Sequence, residues 1–360
     1  LNELFDGRNL VKTPALLKGE LPATPKDERF VSDSRAAVRR ILDGSDDRLL
    51  VIVGPCSIHD PAAALDYAAR LSQTRQALLQ DLEIVMRVYY EKPRSRLGWK
   101  GLVNDPRLDE TYDIDVGLQV ARKLLLDVTS LALPIATEFL STCSPHYLAD
   151  LISWGAIGAR TTESQVHREM ASGLPCPIGF KNSTDGALEI AIDAIRSARA
   201  PHCFLGVDDN GRFIRQQTDG NRDGHLVLRG GKVPNFDAPS VTFACDRLAA
   251  NALPPHVVID ASHGNSGKLH ENQLRVCASI GAQVAAGNVH IAGLMIESNL
   301  VAGAQVVSAD RALVYGQSIT DACIGWNDTV DVLNRLASAV RTRRQATNAS
   351  AGQVLQPAVA

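Results

Sequence analysis

Cys56, His263, Glu297 and Asp321 are the residues whose types best suit a divalent metal: one sulfur, one imidazole and two carboxylates. A mixed S, N, O, O donor set matches a borderline ion such as Mn, Fe, Co or Zn. Each residue also has an ordinary explanation. Cys56 alone is a small buried hydrophobe, and His263 a loop histidine in Ser262-His263-Gly264-Asn265-Ser266. Asp321 alone is a cap for a helix starting near Ala322, and Glu297 a core-edge carboxylate paired to an arginine. A second set is cationic: Arg87, Arg160, Lys181 and Arg229 each end or close an apolar run. Four such cations in one place need anions, and phosphate and carboxylate are their usual partners. Glu91-Lys92-Pro93-Arg94-Ser95-Arg96 is a basic, proline-stiffened loop suited to a second phosphate. Taken alone it reads as a solvated charge run, and only its place beside the other groups argues for chemistry.

Residues so far apart in sequence need a scaffold that gathers strand ends. Short apolar runs alternate with amphipathic stretches, the pattern of a parallel βα architecture. Eight runs read as strands, at 50–56, 84–89, 134–138, 156–160, 177–181, 225–229, 257–260 and 291–297. Eight is the number that closes a (β/α)8 TIM barrel, whose functional groups sit at the C-terminal strand ends. Nearly every end here carries such a group: Cys56, Arg87, Glu138, Arg160, Lys181, Arg229, Asp260 leading to His263, and Glu297. Burying them together without ligands is costly. Strands seven, eight and one are neighbours in a closed barrel and bring three of the four metal-type residues together, with Asp321 in the following loop. The cations lie on the others, so a metal pole faces an anion pole. His59, in Ser57-Ile58-His59-Asp60, reads equally as part of a helix start before Pro61 or as a chemical group.

The remaining segments are additions to the barrel at 49–344. Residues 1–48 form an N-terminal extension with a helix over 32–42, capped by Ser32 or Asp33 and presenting Val38, Ile41 and Leu42 on one face. Runs at 203–207 and 212–217 flank Asp208-Asp209-Asn210-Gly211, which predicts a hairpin inserted over 202–218. The small, polar stretch 345–360 reads as a disordered tail. No internal repeat is visible. The chain has 360 residues, 45% of them hydrophobic, and its 37 Lys+Arg against 40 Asp+Glu leave a net charge of −3. That balance offers no footprint for nucleic acid. Seven scattered cysteines without a CxxC pair predict a reducing, cytoplasmic setting. No signal peptide is apparent, and no apolar run approaches the ~20 residues of a membrane span.

Nine segments carry a resemblance: GPCSIHDP at 54–61, MRVYYEKPR at 86–94, GWKGLVNDP at 98–106, GAIGARTTESQ at 155–165, GFKNSTDG at 179–186, LRGGK at 228–232, IDASHGNSGK at 259–268, GLMIESNL at 293–300 and YGQSITDACIGW at 315–326. On these the chain resembles the type I 3-deoxy-D-arabino-heptulosonate 7-phosphate (DAHP) synthases, the first enzymes of the shikimate pathway. The resemblance implies a metal-dependent condensation of phosphoenolpyruvate with D-erythrose 4-phosphate and water, releasing phosphate. It implies metal ligation by Cys56, His263, Glu297 and Asp321, with Cys56 a ligand and not a nucleophile. Phosphoenolpyruvate binding falls on Arg87, Lys92, Arg160, Lys181 and Arg229, and the erythrose-phosphate loop on Lys92-Pro93-Arg94-Ser95. Ser95 stands where the family commonly has Thr and keeps the hydroxyl. Lys92 is the expected proton-transfer group, as a lysine among cations has a lowered pKa. The family builds a pocket for an aromatic amino acid from its N-terminal extension and hairpin, and both additions are present. Gly206 favours tyrosine as the effector, whereas Pro175 departs from the Ser common at its position. The resemblance also implies a homodimer or homotetramer. Three other readings fit parts of the pattern: a synthase using another aldose phosphate such as arabinose 5-phosphate, a silent amino-acid-binding regulator on the same barrel, and a hydrolytic metalloenzyme. The basic loop argues against the first, the full set of expected ligands against the second, and the unexplained cations against the third.

Overall fold

The computed structural model describes residues 10–94, 96–308 and 310–354, with side chains through residue 347. Eight parallel strands close into a barrel: β1 (Leu49–Gly54), β2 (Leu82–Arg87), β3 (Ile135–Glu138), β4 (Trp154–Ile157) and β5 (Ile178–Lys181), then, past a hairpin of β6 (His202–Val207) and β7 (Phe213–Thr218), β8 (Gly224–Leu228), β9 (Val257–Asp260) and β10 (Ile291–Glu297). The order around the barrel is β1-β10-β9-β8-β5-β4-β3-β2, so the last strand pairs with the first. Before the barrel come α1 (Pro14–Glu20) and α2 (Pro25–Leu42), and around it α3 (Pro61–Leu78), α4 (Ile114–Ser130), α5 (Ser144–Leu148), α6 (Gln165–Gly173), α7 (Glu189–Ala198), α8 (Ala238–Ala250), α9 (Asn272–Ala285) and α10 (Trp326–Val354). All eight expected strands form. β1 and β4 stop at Gly54 and Ile157, so Cys56 and Arg160 lie in the loops beyond them.

The barrel strands are apolar runs because both faces are covered. Their outer faces meet the surrounding helices in one large cluster. A separate cluster joins Ile52, Val85, Ala136, Ala156, Val227 and Val258 to Val38, Ile41 and Leu42 of α2. The second cluster is the barrel interior, with α2 plugging its floor. Side chains alternate along a strand, so the inward residues two positions further on are Arg87, Glu138, Arg229 and Asp260. The candidate site is therefore the top layer of the barrel interior.

Two expectations change in detail, and one alternative reading falls. The helix expected over 32–42 begins at Pro25 and not near Ser32 or Asp33. Thr24 caps it: its Oγ1 accepts from the Asp27 amide at 3.2 Å, and the Asp27 carboxylate accepts from the Thr24 amide at 2.9 Å. The stretch 345–354 continues α10 as helix and not as a disordered tail, while residues 355–360 lie outside the described residues. Asp321 caps no helix, since α10 starts at Trp326. The hairpin forms as expected, and Gly211 supplies the positive φ of 79° at its turn. The extension grips that turn: the Ala15 amide donates to the Asp209 carbonyl at 2.8 Å, and Lys18 pairs with the Asp209 carboxylate at 2.8 Å. No helix among the described residues is long and apolar enough to cross a membrane.

Candidate active site

Lys92, Arg94, Arg160, Lys181 and Arg229 line one cavity of about 330 Å3 together with Glu138, His263 and Asp321. Arg87 is fully buried and reaches this cavity only through Glu297, whose ligand oxygen lies within 4.8 Å of that of the cavity-lining Asp321. Arg87 Nη2 donates to Glu297 Oε1 at 3.1 Å, its guanidinium lies 3.9 Å over the Tyr89 ring, and its Nη1 is buried without a partner among the described residues. An orphaned, buried guanidinium N–H is expensive and points to an anionic ligand. Gly54, at φ 151°, lets β1 approach Arg87 closely; a Cβ there would lie 3.0 Å from the Arg87 carbonyl oxygen. Gly158 likewise leaves room for Glu138, whose Oε1 would lie 2.1 Å from an added Cβ.

Beside these cations Cys56, Glu297 and Asp321 bring ligand atoms within 4.8 Å of one another. The Cys56 thiol donates to Asp321 Oδ2 at 3.7 Å. Sulfur and two carboxylates at such spacing suit a divalent transition ion. His263, the fourth expected ligand, is not in that close group but lines the same cavity. Its Nδ1 lies 2.9 Å from Asp260 Oδ2 and 2.8 Å from Ser262 Oγ, and Nε2 has no hydrogen bond among the described residues. A carboxylate fixing one imidazole nitrogen while the other faces a site is the usual support for a metal-binding histidine. The backbone around it is held in the left-handed region at φ 56°, with the Lys268 amide donating to the His263 carbonyl at 2.9 Å.

Lys92 corrects one expectation. Its Nζ donates to Cys56 O at 3.1 Å and to Cys56 Sγ at 3.2 Å. Burial pulls its pKa down, but Cys56, Glu297, Glu138 and Asp321 outweigh burial and raise it. Three of these neighbours are carboxylates and none is a cation, so the lowered pKa expected of a lysine among cations is absent. Burial and Glu297 push the Cys56 thiol up to about 11, against the pull of Lys92. Lys181 pairs with Asp260 at 2.9 Å; burial lowers its pKa, while Asp260 and Tyr89 raise it overall. Arg229 is lowered by burial. Arg160 is exposed, and its Nη1 donates to the Pro93 carbonyl at 3.2 Å, tying it to the basic loop. Ser95 lies outside the described residues. His59 precedes the true cap of α3, which is Asp60.

Two further groups belong to the site. In sequence Asp260 and Glu138 are strand-end charges without a role; in the structure Asp260 joins Lys181 to His263 and Glu138 lines the cavity. A carboxylate three residues before a loop histidine was the available signal. Gly206 and Pro175 come together in a second cavity of about 460 Å3, between α6, the hairpin and the 142–150 segment. The seven cysteines are free, and Cys143 is exposed on the wall of this second cavity.

A sequence model described as the DAHP synthetase I family matches residues 21–334. Two phospho-2-dehydro-3-deoxyheptonate aldolases of Escherichia coli strain K12, one Phe-sensitive and one Trp-sensitive, are each 55% identical over 331 residues, covering 92% of this chain and 95% of theirs. The solved phospho-2-dehydro-3-deoxyheptonate aldolase of Francisella tularensis SCHU S4 superposes with a TM-score of 0.92 at 47% identity, covering 94% of this chain and 99% of that one. The closed barrel, its cation-lined mouth and these matches over nearly the whole length agree, and the chain belongs to the DAHP synthetase I family and has DAHP synthase activity.

Proposed function

We propose that the barrel mouth condenses phosphoenolpyruvate with D-erythrose 4-phosphate and water, as the first step of the shikimate pathway in the cytoplasm. The observation that carries this reading is the cavity ringed by Lys92, Arg160, Lys181 and Arg229, together with the buried Arg87 Nη1 that has no partner among the described residues. That ring suits the carboxylate and phosphate of one small dianionic or trianionic substrate. Arg94, which lines the same cavity, suits the phosphate of the aldose, and Ser95 follows it in sequence. Holding both anions orients C3 of the enol phosphate toward the aldehyde carbon. The new bond forms between those carbons as the enol and carbonyl double bonds open, the water oxygen bonds to C2, the C2–O bond to phosphate breaks, and C2 becomes the ketone; of the two protons lost by water, one balances the proton gained by the aldehyde oxygen and the other leaves with phosphate. Lys92 spends two N–H groups on Cys56 and keeps a third for a substrate oxygen, which suits it to deliver the proton to the aldehyde oxygen. Cys56, Glu297, Asp321 and the Nε2 of His263 would hold one divalent ion per subunit. Such an ion, when bound, supplies Lewis acidity toward the aldehyde oxygen.

The second cavity is read as the effector site for an aromatic amino acid, with tyrosine favoured by Gly206 and with Pro175 on its wall. Relatives named Phe-sensitive and Trp-sensitive support feedback of this class. Leu205 and Phe213 are each 77% exposed on the hairpin, which accords with burial in a homodimer or homotetramer. The test is phosphate release from phosphoenolpyruvate with erythrose 4-phosphate after EDTA treatment, with Mn, Fe, Co and Zn restored singly. Turnover is expected to vanish on chelation and return with metal, and to fall at least about tenfold with arabinose 5-phosphate in place of erythrose 4-phosphate. Full turnover in EDTA overturns the metal assignment; preference for arabinose 5-phosphate overturns the aldose.

A further inference from the structure

Gln216 places a primary amide on the wall of the second cavity, among side chains that are mostly apolar. In the hairpin register Phe204 stands opposite Gln216, and Gly206 opposite Ile214, so Gly206 is the diagonal neighbour of Gln216. A Cβ at Gly206 would lie 2.8 Å from Gln216 Cβ and 3.0 Å from its Oε1. The glycine is thus what leaves the amide room across the cavity face of the hairpin. Facing it, Val166, Met170 and Leu174 line the same cavity. Gln216 is half-buried, and its side chain makes no hydrogen bond among the described residues. A glutamine amide offers two donor hydrogens and a carbonyl acceptor, and an amide covered by a ligand must find partners or lose the hydration it had.

We propose that Gln216 selects the effector, its amide bonding the phenolic hydroxyl of a tyrosine whose ring lies against Met170, Leu174 and Phe204. The assignment rests on the reading of this cavity as an aromatic amino-acid site. Phenylalanine fills the same apolar wall but covers the amide without pairing it. A site built to hydrogen-bond a hydroxyl discriminates strongly against the analogue lacking one, because the site's polar group is then left unpaired. A phenol both donates and accepts, so either end of the amide serves. Two relatives named Phe-sensitive and Trp-sensitive, each 55% identical to this chain, show that effector choice differs within the family, and a polar side chain next to a glycine is the kind of local feature that sets it.

The experiment measures inhibition of phosphate release by tyrosine, phenylalanine and tryptophan for the full chain and for Gln216→Val and Gln216→Met. Each inhibition constant is referenced to that variant's own uninhibited rate, and calorimetric binding of tyrosine and phenylalanine is measured alongside. Tyrosine is expected to be the strongest effector of the unaltered chain, and both variants to lower the tyrosine-to-phenylalanine preference by about tenfold or more. Met keeps the side-chain length and loses the amide, so a loss of packing in the Val variant does not decide the result. A preference unchanged within about threefold in the Met variant overturns the role of Gln216, as does tryptophan proving the strongest effector. If the unaltered chain binds none of the three, the reading of the cavity itself fails, which is a separate outcome.

Discussion

Asp260 makes two buried contacts through one oxygen, to Lys181 Nζ and to His263 Nδ1, each at 2.9 Å. Its other oxygen accepts from the Ser262 amide at 3.0 Å and from the Ser262 hydroxyl at 2.6 Å. It therefore sets the tautomer of an expected metal ligand and neutralises an expected phosphoenolpyruvate ligand together. Asp260→Asn keeps the shape and removes the charge. It is expected to lower both metal affinity and kcat/KM by about 10–100-fold, read by equilibrium dialysis of the ion and by steady-state kinetics; unchanged values for both would show that Asp260 only packs. Much of this site was visible in the residues themselves. Arg87, Lys181, Asp260 and Glu297 stand at the ends of apolar runs, and alternation along a strand puts such ends on the inward face. The environment of Lys92 was not visible, because the Cys56 thiol and the Glu297 and Asp321 carboxylates beside it come from segments far away in sequence. The role of Gln216 was hidden for the same reason: the space it occupies is made by Gly206 on the neighbouring strand.

The strands were legible as elements because burial on both faces demands unbroken apolar runs, and the amphipathic stretches between them announce the crossovers. The N-terminal helix was legible only from its second half. Val31, Val38, Ile41 and Leu42 carry the buried face, whereas Pro25, Lys26, Glu28 and Arg29 give no apolar period. The start signal was instead Thr24-Pro25-Lys26-Asp27, a cap, a proline at the first helical position and an acid that returns the bond. Because α2 closes the barrel floor with Val38, Ile41 and Leu42, its stability is coupled to that of the barrel. Thr24→Ala is expected to cost about 1 kcal/mol, while Ser32→Ala, at an exposed mid-helix position, changes stability by less than about 0.5 kcal/mol. Urea melts of the two variants check the assignment: a larger loss from Ser32→Ala would place the helix start near residue 32 after all. The end of the chain misled for a different reason. Residues 345–354 are poor in apolar residues, but they extend a helix already anchored by Arg344 on Asp47 at 2.6 Å and on Asp81 at 2.8 Å.

At the scale of the whole molecule, the floor of the barrel makes stability depend on pH through a group remote from the site. Trp154 lies in the interior cluster, where Gly179 makes room for it; a Cβ there would lie 2.5 Å from the indole ring. Its Nε1–H donates to His225 Nε2 at 3.1 Å, and His225 Nδ1 donates to the Asp223 carbonyl at 3.0 Å. Both ring nitrogens are thus used by a neutral imidazole, and a proton on Nε2 would face the indole N–H. Burial lowers the His225 pKa from 6.5 to about 4. Between these values the unfolded chain binds a proton that the native state refuses, so native stability rises with pH across that window. The contribution is complete above about pH 6.5 and is lost as pH falls toward about 4, at up to about 1.4 kcal/mol per pH unit, or roughly 3 kcal/mol in all. Paired carboxylates such as Asp47 also weaken the fold in acid, so the total slope does not isolate the histidine. His225→Gln does, since a side-chain carbonyl can accept from Trp154 without titrating. Stability measured by urea melts from pH 7 to pH 4 is expected to fall less steeply in the variant, the two curves converging as pH drops. Parallel curves would mean that His225 titrates alike in the folded and unfolded chain, and that the acid sensitivity of the barrel lies wholly in its carboxylates.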